Sequence, residues 1–158
     1  MKCEVDLKVN GENYSIVVDT REILLDTLRY RLGFTGPKEG CGNGNCGACT
    51  VVLNGVTINS CLAFAVEAHE GEVTTVEGVA IEGRLHPVQQ AFIDNGALQC
   101  GFCTPGFIMS TKVFLERNPN PTEEEIRLAL SGNLCRCTGY DKIVRAVQAA
   151  SRMLSKVA

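Results

Sequence analysis

The sequence has no excess of positive charge. Its 158 residues contain 15 lysines and arginines against 18 aspartates and glutamates, which gives a formal net charge of -3. Phosphate binding normally leaves a basic excess or a basic stripe. The composition therefore argues against a nucleic-acid partner and is otherwise ordinary for a globular protein.

Long hydrophobic runs are also missing. The apolar stretches are only a few residues long, whereas a membrane-spanning helix needs roughly 20. Residues 1–11 alternate between polar and apolar side chains and contain neither an apolar signal region nor a twin-arginine pair. We therefore expect no membrane span and a cytoplasmic location.

Histidine is scarce, and no nucleophile stands beside a base. The chain has only His69 and His86, which we interpret as an exposed residue and a helix-entry residue. The acidic run 123–125 is typical of the negative charges at the start of a helix. We expect no catalysis of substrate chemistry by this chain alone.

Cysteine, in contrast, is abundant. Cytosolic thiols are kept reduced, so closely spaced cysteines there are more often metal ligands or catalytic groups than structural disulfides. The count of nine is odd, which also argues against a pure disulfide framework. Cys3 lies on the apolar face of an alternating strand and is interpreted as a small buried hydrophobe. The other eight fall into two groups of four.

The first half of the chain predicts a small α+β domain. Residues 2–9 alternate strictly, and Asn10-Gly11 predicts a tight turn into a returning strand. Leucines between 24 and 32 recur at helical spacing. A second Asn-Gly between β-rich runs predicts another hairpin, and a last strand follows near 72–76. We place this domain at residues 1–77.

The second half, residues 78–158, predicts a four-helix bundle. GVAIEGRLHP is typical of a linker, after which helical patterns replace the β-rich runs. Thr104-Pro105 predicts an N-cap followed by proline in the first turn. Thr122 and Glu125 form a capping box, and Gly132-Asn133 is interpreted as the stop of that helix. Four helices of this length favour a bundle.

The first group of thiols has the spacing CxxxxCxxC, with the fourth cysteine after the second hairpin. This spacing is typical of a plant-type [2Fe–2S] ferredoxin. Glycines between the cysteines allow backbone N–H groups to approach an anionic cluster. Zinc is the alternative, because a CxxC step also fits a tetrahedral zinc site. The ligand candidates are Cys41, Cys46, Cys49 and Cys61, with Gly42, Gly44 and Gly47 in the cluster loop.

The second group is arranged as QCGFC and LCRC, each ahead of a predicted helix. The positive end of a helix dipole favours an anionic cluster. Zinc and iron both suit this spacing taken alone, and the presence of two such groups favours iron. The ligand candidates are Cys100, Cys103, Cys135 and Cys137.

The stretches EGCGNGNCGACTVVLNG, ALQCGFCTPGFIM and NPNPTEEEIRLALSGNLCRCTGY resemble the small iron–sulfur subunit of the xanthine oxidase family of molybdenum hydroxylases. The resemblance extends from about residue 3 to residue 150. It implies an N-terminal β-grasp domain of the plant-type ferredoxin kind, a C-terminal four-helix bundle and two [2Fe–2S] clusters.

The resemblance also implies partners. A large subunit would hold a molybdenum–pterin cofactor and a medium subunit FAD, in a dimer of heterotrimers, with this chain relaying single electrons between them. Gln99 would contact the pterin, Cys137 or its neighbours would lie closest to it, and Arg136 or Lys142 would serve docking. Two alternatives remain at this point: a freestanding ferredoxin-like carrier, and an interaction module with structural zinc.

Overall fold

The computed structural model of the chain describes residues 1–80 and 82–156. In this part of the chain, five strands precede a run of four helices. The strands are β1 (Lys2–Val9), β2 (Glu12–Asp19), β3 (Thr50–Leu53), β4 (Val56–Asn59) and β5 (Glu72–Thr74). The helices are α1 (Leu24–Asp26), α2 (Pro87–Asp94), α3 (Thr104–Arg117), α4 (Glu123–Ala129) and α5 (Asp141–Leu154).

The strands form one mixed sheet in the order β2-β1-β5-β3-β4. Both predicted hairpins are present, with β1 antiparallel to β2 and β3 antiparallel to β4. Their two-residue turns, Asn10-Gly11 and Asn54-Gly55, have positive φ at every position, which matches the right-handed twist of the strands. β5 lies in the centre, parallel to β1 and antiparallel to β3.

The alternating residues of β1 form the centre of the first core. Val5, Leu7 and Val9 are buried on one face of the sheet. Leu24 and Leu28 pack onto the same cluster. The segment that carries them is a short α1 followed by a single π-helical turn over Thr27–Arg31, rather than one regular helix.

The second core lies inside a bundle formed by α2, α3, α4 and α5. Phe92, Phe107, Ile126 and Ile143 are almost completely buried in it. The predicted capping box of α4 is present, with Thr122 accepting from the backbone N–H of Glu125. The sheet followed by a four-helix bundle confirms the α+β fold predicted from the sequence.

Two local predictions are wrong. The N-cap of α3 is Cys103, so Thr104 is the first helical residue and caps nothing. The stop of α4 comes earlier than Gly132-Asn133, because the helix ends at Ala129. The segment that we interpret as a linker also contributes to packing, since Val79 is buried against Met109 on α3. Ile81, in the same stretch, lies outside the described residues.

The two halves pack directly on each other. Val52 of β3 and Val113 of α3 belong to one apolar cluster together with Val79 and Met109. Burial of such side chains stabilises by roughly 1.5–3 kcal/mol each, so the sheet and the bundle form a shared interface. Among the described residues, no helix is long and apolar enough to cross a membrane.

Candidate metal centres

The first cysteine loop follows a path that glycine makes possible. Gly42, Gly44 and Gly47 have φ values of 65°, 81° and 68°, in the left-handed region that other residues rarely adopt. A Cβ on Gly40 would lie only 2.8 Å from the Sγ of Cys46. The loop therefore keeps its backbone close to its thiols, as predicted for a segment wrapped around an anionic group.

The four thiols of this loop and the following hairpin lie in two pairs. Cys49 and Cys61 flank the β3–β4 hairpin, which brings their Sγ atoms to 3.3 Å, and they are only 2% and 7% exposed. Burial raises the pKa of the Cys49 thiol to about 12. Cys41 is exposed and lies near Cys46, and the backbone N–H of Asn43 lowers the pKa of Cys41 to about 7.

The second site joins the loop before α3 to the loop before α5. The Sγ atoms of Cys100 and Cys137 are 3.6 Å apart and both residues are exposed. Cys103 and Cys135 are less accessible and lie near each other as the other pair, and burial raises the pKa of Cys103 to about 12. Each site therefore has one more exposed and one more buried pair.

Polar neighbours hold Cys135 in place. Its Sγ accepts hydrogen bonds from the backbone N–H of Thr138 at 3.4 Å and from the Thr138 hydroxyl at 3.1 Å. Its own N–H donates to the hydroxyl of Tyr140 at 2.9 Å. Tyr140 has a φ of 68° and packs edge-on against Phe107, with ring centroids 6.3 Å apart.

The donor set fits two [2Fe–2S] clusters. All nine cysteines are free, and separations of 3.3 and 3.6 Å are far beyond the roughly 2.05 Å of a disulfide. In each site one pair of thiols lies within 4 Å, the Cys49–Cys61 pair in the first and the Cys100–Cys137 pair in the second. A tetrahedral zinc site needs four ligands around one ion, whereas a binuclear cluster distributes four thiolates over two irons.

The two sites meet at the interface between the halves. The backbone N–H of Leu134 donates to the carbonyl of Cys46 at 2.9 Å. Leu134 directly precedes Cys135 of the second site, and Cys46 belongs to the first, so this bond connects the two sites. The ring of Phe102, from the second site, lies against Gly40 of the first, where a Cβ would be 3.5 Å from the ring. No intervening layer of structure separates the two loops at this point.

The structure places the other residues singled out from the sequence at or near the surface. Gln99 is exposed beside Cys100, and Arg136 and Lys142 are exposed as well. His69 is exposed, and His86 is the N-cap of α2, where its Nδ1 accepts from the backbone N–H of Val88. Each of these positions leaves the side chain in or near solvent.

Cys3 is half-buried and packs against the first core, away from both thiol groups. This agrees with its interpretation as a small hydrophobe, although it is less buried than we expected.

Three polar residues near the thiols were missed or misinterpreted from the sequence. The sequence pattern interprets Asn133 only as part of a helix stop and gives no role to the side chains of Thr138 and Tyr140. The available signal was their position: all three lie within three residues of Cys135 or Cys137. What they contact is set by the packing of the bundle.

Two domain families match the chain. Residues 7–76 match a family described as a 2Fe-2S iron-sulfur cluster binding domain. Residues 75–148 match one described as a [2Fe-2S] binding domain.

Three similar proteins illustrate the comparison with whole chains. The chain is 51% identical to the nicotinate dehydrogenase small FeS subunit of Eubacterium barkeri, over 94% of its own length and 95% of that subunit. It is 51% identical to the nicotine 6-hydroxylase small subunit of Paenarthrobacter nicotinovorans, over 92% and 88% of the two chains.

The third is a solved structure. A chain of quinoline 2-oxidoreductase from Pseudomonas putida 86 superposes with a TM-score of 0.94 at 39% identity, covering 98% of this chain and 97% of that one. The chain thus has two [2Fe–2S]-binding domains and is a subunit of an oxidoreductase. It belongs to the xanthine oxidase family of molybdenum hydroxylases, as one of the family's small iron–sulfur subunits.

Proposed function

We propose that this chain relays single electrons between a molybdenum–pterin site in a large partner subunit and FAD in a medium partner subunit. The observation that carries the proposal is the pairing of the thiols: two sets of four, each divided into two pairs, meet across one interface through the Leu134–Cys46 hydrogen bond. An isolated carrier would need only one such set.

In this proposal the eight cysteines are the cluster ligands. Cys41, Cys46, Cys49 and Cys61 hold one cluster, and Cys100, Cys103, Cys135 and Cys137 hold the other. When bound, each [2Fe–2S] cluster accepts and releases one electron at a time.

The protein contributes backbone donors and controlled exposure. The N–H of Asn43 and the hydroxyl of Thr138 donate to thiol sulfurs, which stabilises the thiolate form. Cys49 and Cys103, whose pKa values are raised by burial, release their protons when a metal binds. Residues 1–77 form the first cluster domain in this scheme and residues 78–158 the second.

The exposed side of the second site is proposed to face the large subunit. Leu98, Phe102 and Leu134 are exposed apolar residues around the accessible pair Cys100 and Cys137, and adjacent exposed apolar side chains are typical of a subunit contact. Gln99 lies beside them and contacts the pterin. Cys41 marks the side of the first cluster that faces the FAD subunit.

The complex is proposed to be a cytoplasmic dimer of heterotrimers. The similar proteins named above include a small FeS subunit and a small subunit, which supports an assembly with larger chains. Copurification of an affinity-tagged chain from its native host, followed by mass determination, tests this composition.

The test of the clusters is low-temperature EPR of the anaerobically purified, dithionite-reduced chain, with iron, sulfide and zinc measured on the same sample. We expect two distinct S = 1/2 signals with about four irons and about four sulfides per chain. Stoichiometric zinc without an EPR signal would overturn the proposal and support a structural zinc module. A single signal with about two irons would overturn the two-cluster relay.

A further inference from the structure

Asn133 connects the two halves of the molecule at the point where the thiol groups meet. It lies in the loop between α4 and Cys135 and is only 5% exposed. Its Nδ2 donates to the carbonyl of Gly47 at 3.0 Å. Its Oδ1 accepts from the hydroxyl of Ser110 at 2.7 Å. One side chain therefore links the first cysteine loop to α3 of the bundle.

The chemistry of this position requires an amide. A backbone carbonyl can only accept, so the group that faces Gly47 has to be a donor. The Ser110 hydroxyl then donates to the opposite end of the side chain. Aspartate has the same shape but would present an acceptor to the Gly47 carbonyl. A buried acceptor without a donor costs about 1–3 kcal/mol, and more when it is charged.

The backbone around Asn133 leaves little room for another arrangement. A Cβ on Gly47 would lie 2.5 Å from the carbonyl oxygen of Gly132. A Cβ on Gly106 of α3 would collide with the Gly47 carbonyl. The next residue along the loop, Leu134, donates to Cys46. Asn133 thus sits where three segments approach as closely as glycine allows.

We propose that Asn133 is a positioning residue that sets the separation and relative orientation of the two thiol groups, and thereby the interaction between the two clusters. This inference rests on the proposed function, since it presupposes that both groups hold clusters. Asn133 touches neither cluster nor substrate in this scheme. It acts by fixing the Gly47 segment, between Cys46 and Cys49, against the loop that carries Cys135.

Removal of the Asn133 amide should leave a folded protein. The Gly47 carbonyl also accepts from the Thr50 hydroxyl at 2.7 Å, so it keeps a hydrogen bond when Asn133 is replaced. The apolar contact between the halves, through Val52 and Met109, is untouched. The substitution therefore removes the link at the cluster interface without removing the interface.

The experiment measures the magnetic interaction between the two reduced clusters in the full chain, loaded with iron and sulfide. EPR at two microwave frequencies separates an interaction splitting, whose size in field units does not change with frequency, from differences in g value. The variants are Asn133→Ala and Asn133→Asp. The matched control is Asn120→Asp, which places the same change beside Ser155, at the other end of the bundle.

We expect the wild type and Asn120→Asp to show the same splitting, and both Asn133 variants to show a smaller one at the iron and sulfide content of the wild type. A merely structural role would lower the unfolding temperature and leave the splitting of the loaded protein unchanged. Unchanged splitting in the Asn133 variants would overturn the inference. A wild type with two loaded clusters and no splitting would overturn it as well.

Ser110→Ala keeps the test decisive if the Asn133 variants fail to fold or to bind iron. This variant removes the hydrogen bond that orients the amide and leaves Asn133 in place. A reduced splitting at full iron content supports the inference, and an unchanged one overturns it. Failure of the proposed function has a different signature, because a wild type without iron gives no EPR signal at all.

Discussion

The two thiol groups are built in different ways. The first takes three of its cysteines from one nine-residue loop and the fourth from the end of the adjacent hairpin. The second takes two cysteines from the loop before α3 and two from the loop before α5, more than thirty residues later. The first site is therefore largely local in sequence, whereas the second exists only when the bundle is packed.

The sites also differ in exposure. The pair Cys49 and Cys61 is buried, and the most accessible pair of the molecule is Cys100 and Cys137. Solvent exposure and hydrogen bonds to sulfur are two of the factors that tune a cluster's reduction potential. We therefore expect the two clusters to have different reduction potentials, with the second more accessible to a partner.

Substitution of single cysteine ligands should have the largest effect, because it tests whether the two sites bind their clusters independently. We expect Cys49→Ser to abolish the first cluster and Cys137→Ser to abolish the second, each leaving about two of about four irons and one of the two EPR signals. Because Cys49 lies in the core between α1 and the hairpin, its loss should also lower the unfolding temperature more than the loss of Cys137.

Cys3→Ser is the matched control, since Cys3 lies outside both groups. It should keep both signals and all the iron. Loss of both clusters in the Cys137 variant would contradict the independence of the two sites.

One glycine beside each site allows the packing around the two loops to be compared. Gly47 and Gly139 have nearly the same φ, 68° and 67°, so alanine costs about 1–3 kcal/mol of backbone strain at either position. At Gly47 the new Cβ would meet the Gly132 carbonyl and the Asn133 side chain. At Gly139 it would have no neighbour within 4 Å among the residues that the structure describes.

We expect Gly139→Ala to lower the midpoint of thermal unfolding by roughly 5 °C and Gly47→Ala by roughly 10 °C, since overpacking adds to the strain. Circular dichroism of both iron-loaded chains measures the difference. Equal shifts would mean that the first loop is not enclosed by the bundle.

Local chemistry explains what could be predicted from the sequence. Both Asn-Gly turns and the capping box at Thr122 depend on residues a few positions apart. The spacing of Cys41, Cys46 and Cys49 is likewise a property of one loop. These features need no knowledge of the rest of the fold, which is why sequence patterns were sufficient.

The features that the sequence does not predict depend on contacts between residues far apart in the chain. The pairing of Cys100 with Cys137 spans 37 positions, and the bond from Asn133 to Gly47 spans 86. The parallel pairing of β5 with β1 and the burial of Val79 are also tertiary. A side chain such as Asn133 has a function only in relation to segments that its own neighbourhood does not specify.

The smallest effect that we predict comes from removing a single hydrogen bond beside one thiol group or the other. The Tyr140 hydroxyl accepts from the N–H of Cys135, and the Ser60 hydroxyl donates to the carbonyl of Cys49 at 2.7 Å. Loss of either hydrogen bond costs about 1 kcal/mol. We expect Tyr140→Phe to shift only the EPR signal of the second cluster and Ser60→Ala only that of the first.

Tyr14→Phe serves as the control, because the Tyr14 hydroxyl donates to the exposed carboxylate of Glu12, far along the chain from either thiol group. It should shift neither signal. The assignment of each signal comes from the cysteine variants, so the two experiments check each other. An equal shift of both signals in Tyr140→Phe would contradict this prediction. It would mean that the Tyr140 hydroxyl also affects the first cluster, through the Leu134–Cys46 hydrogen bond between the two loops.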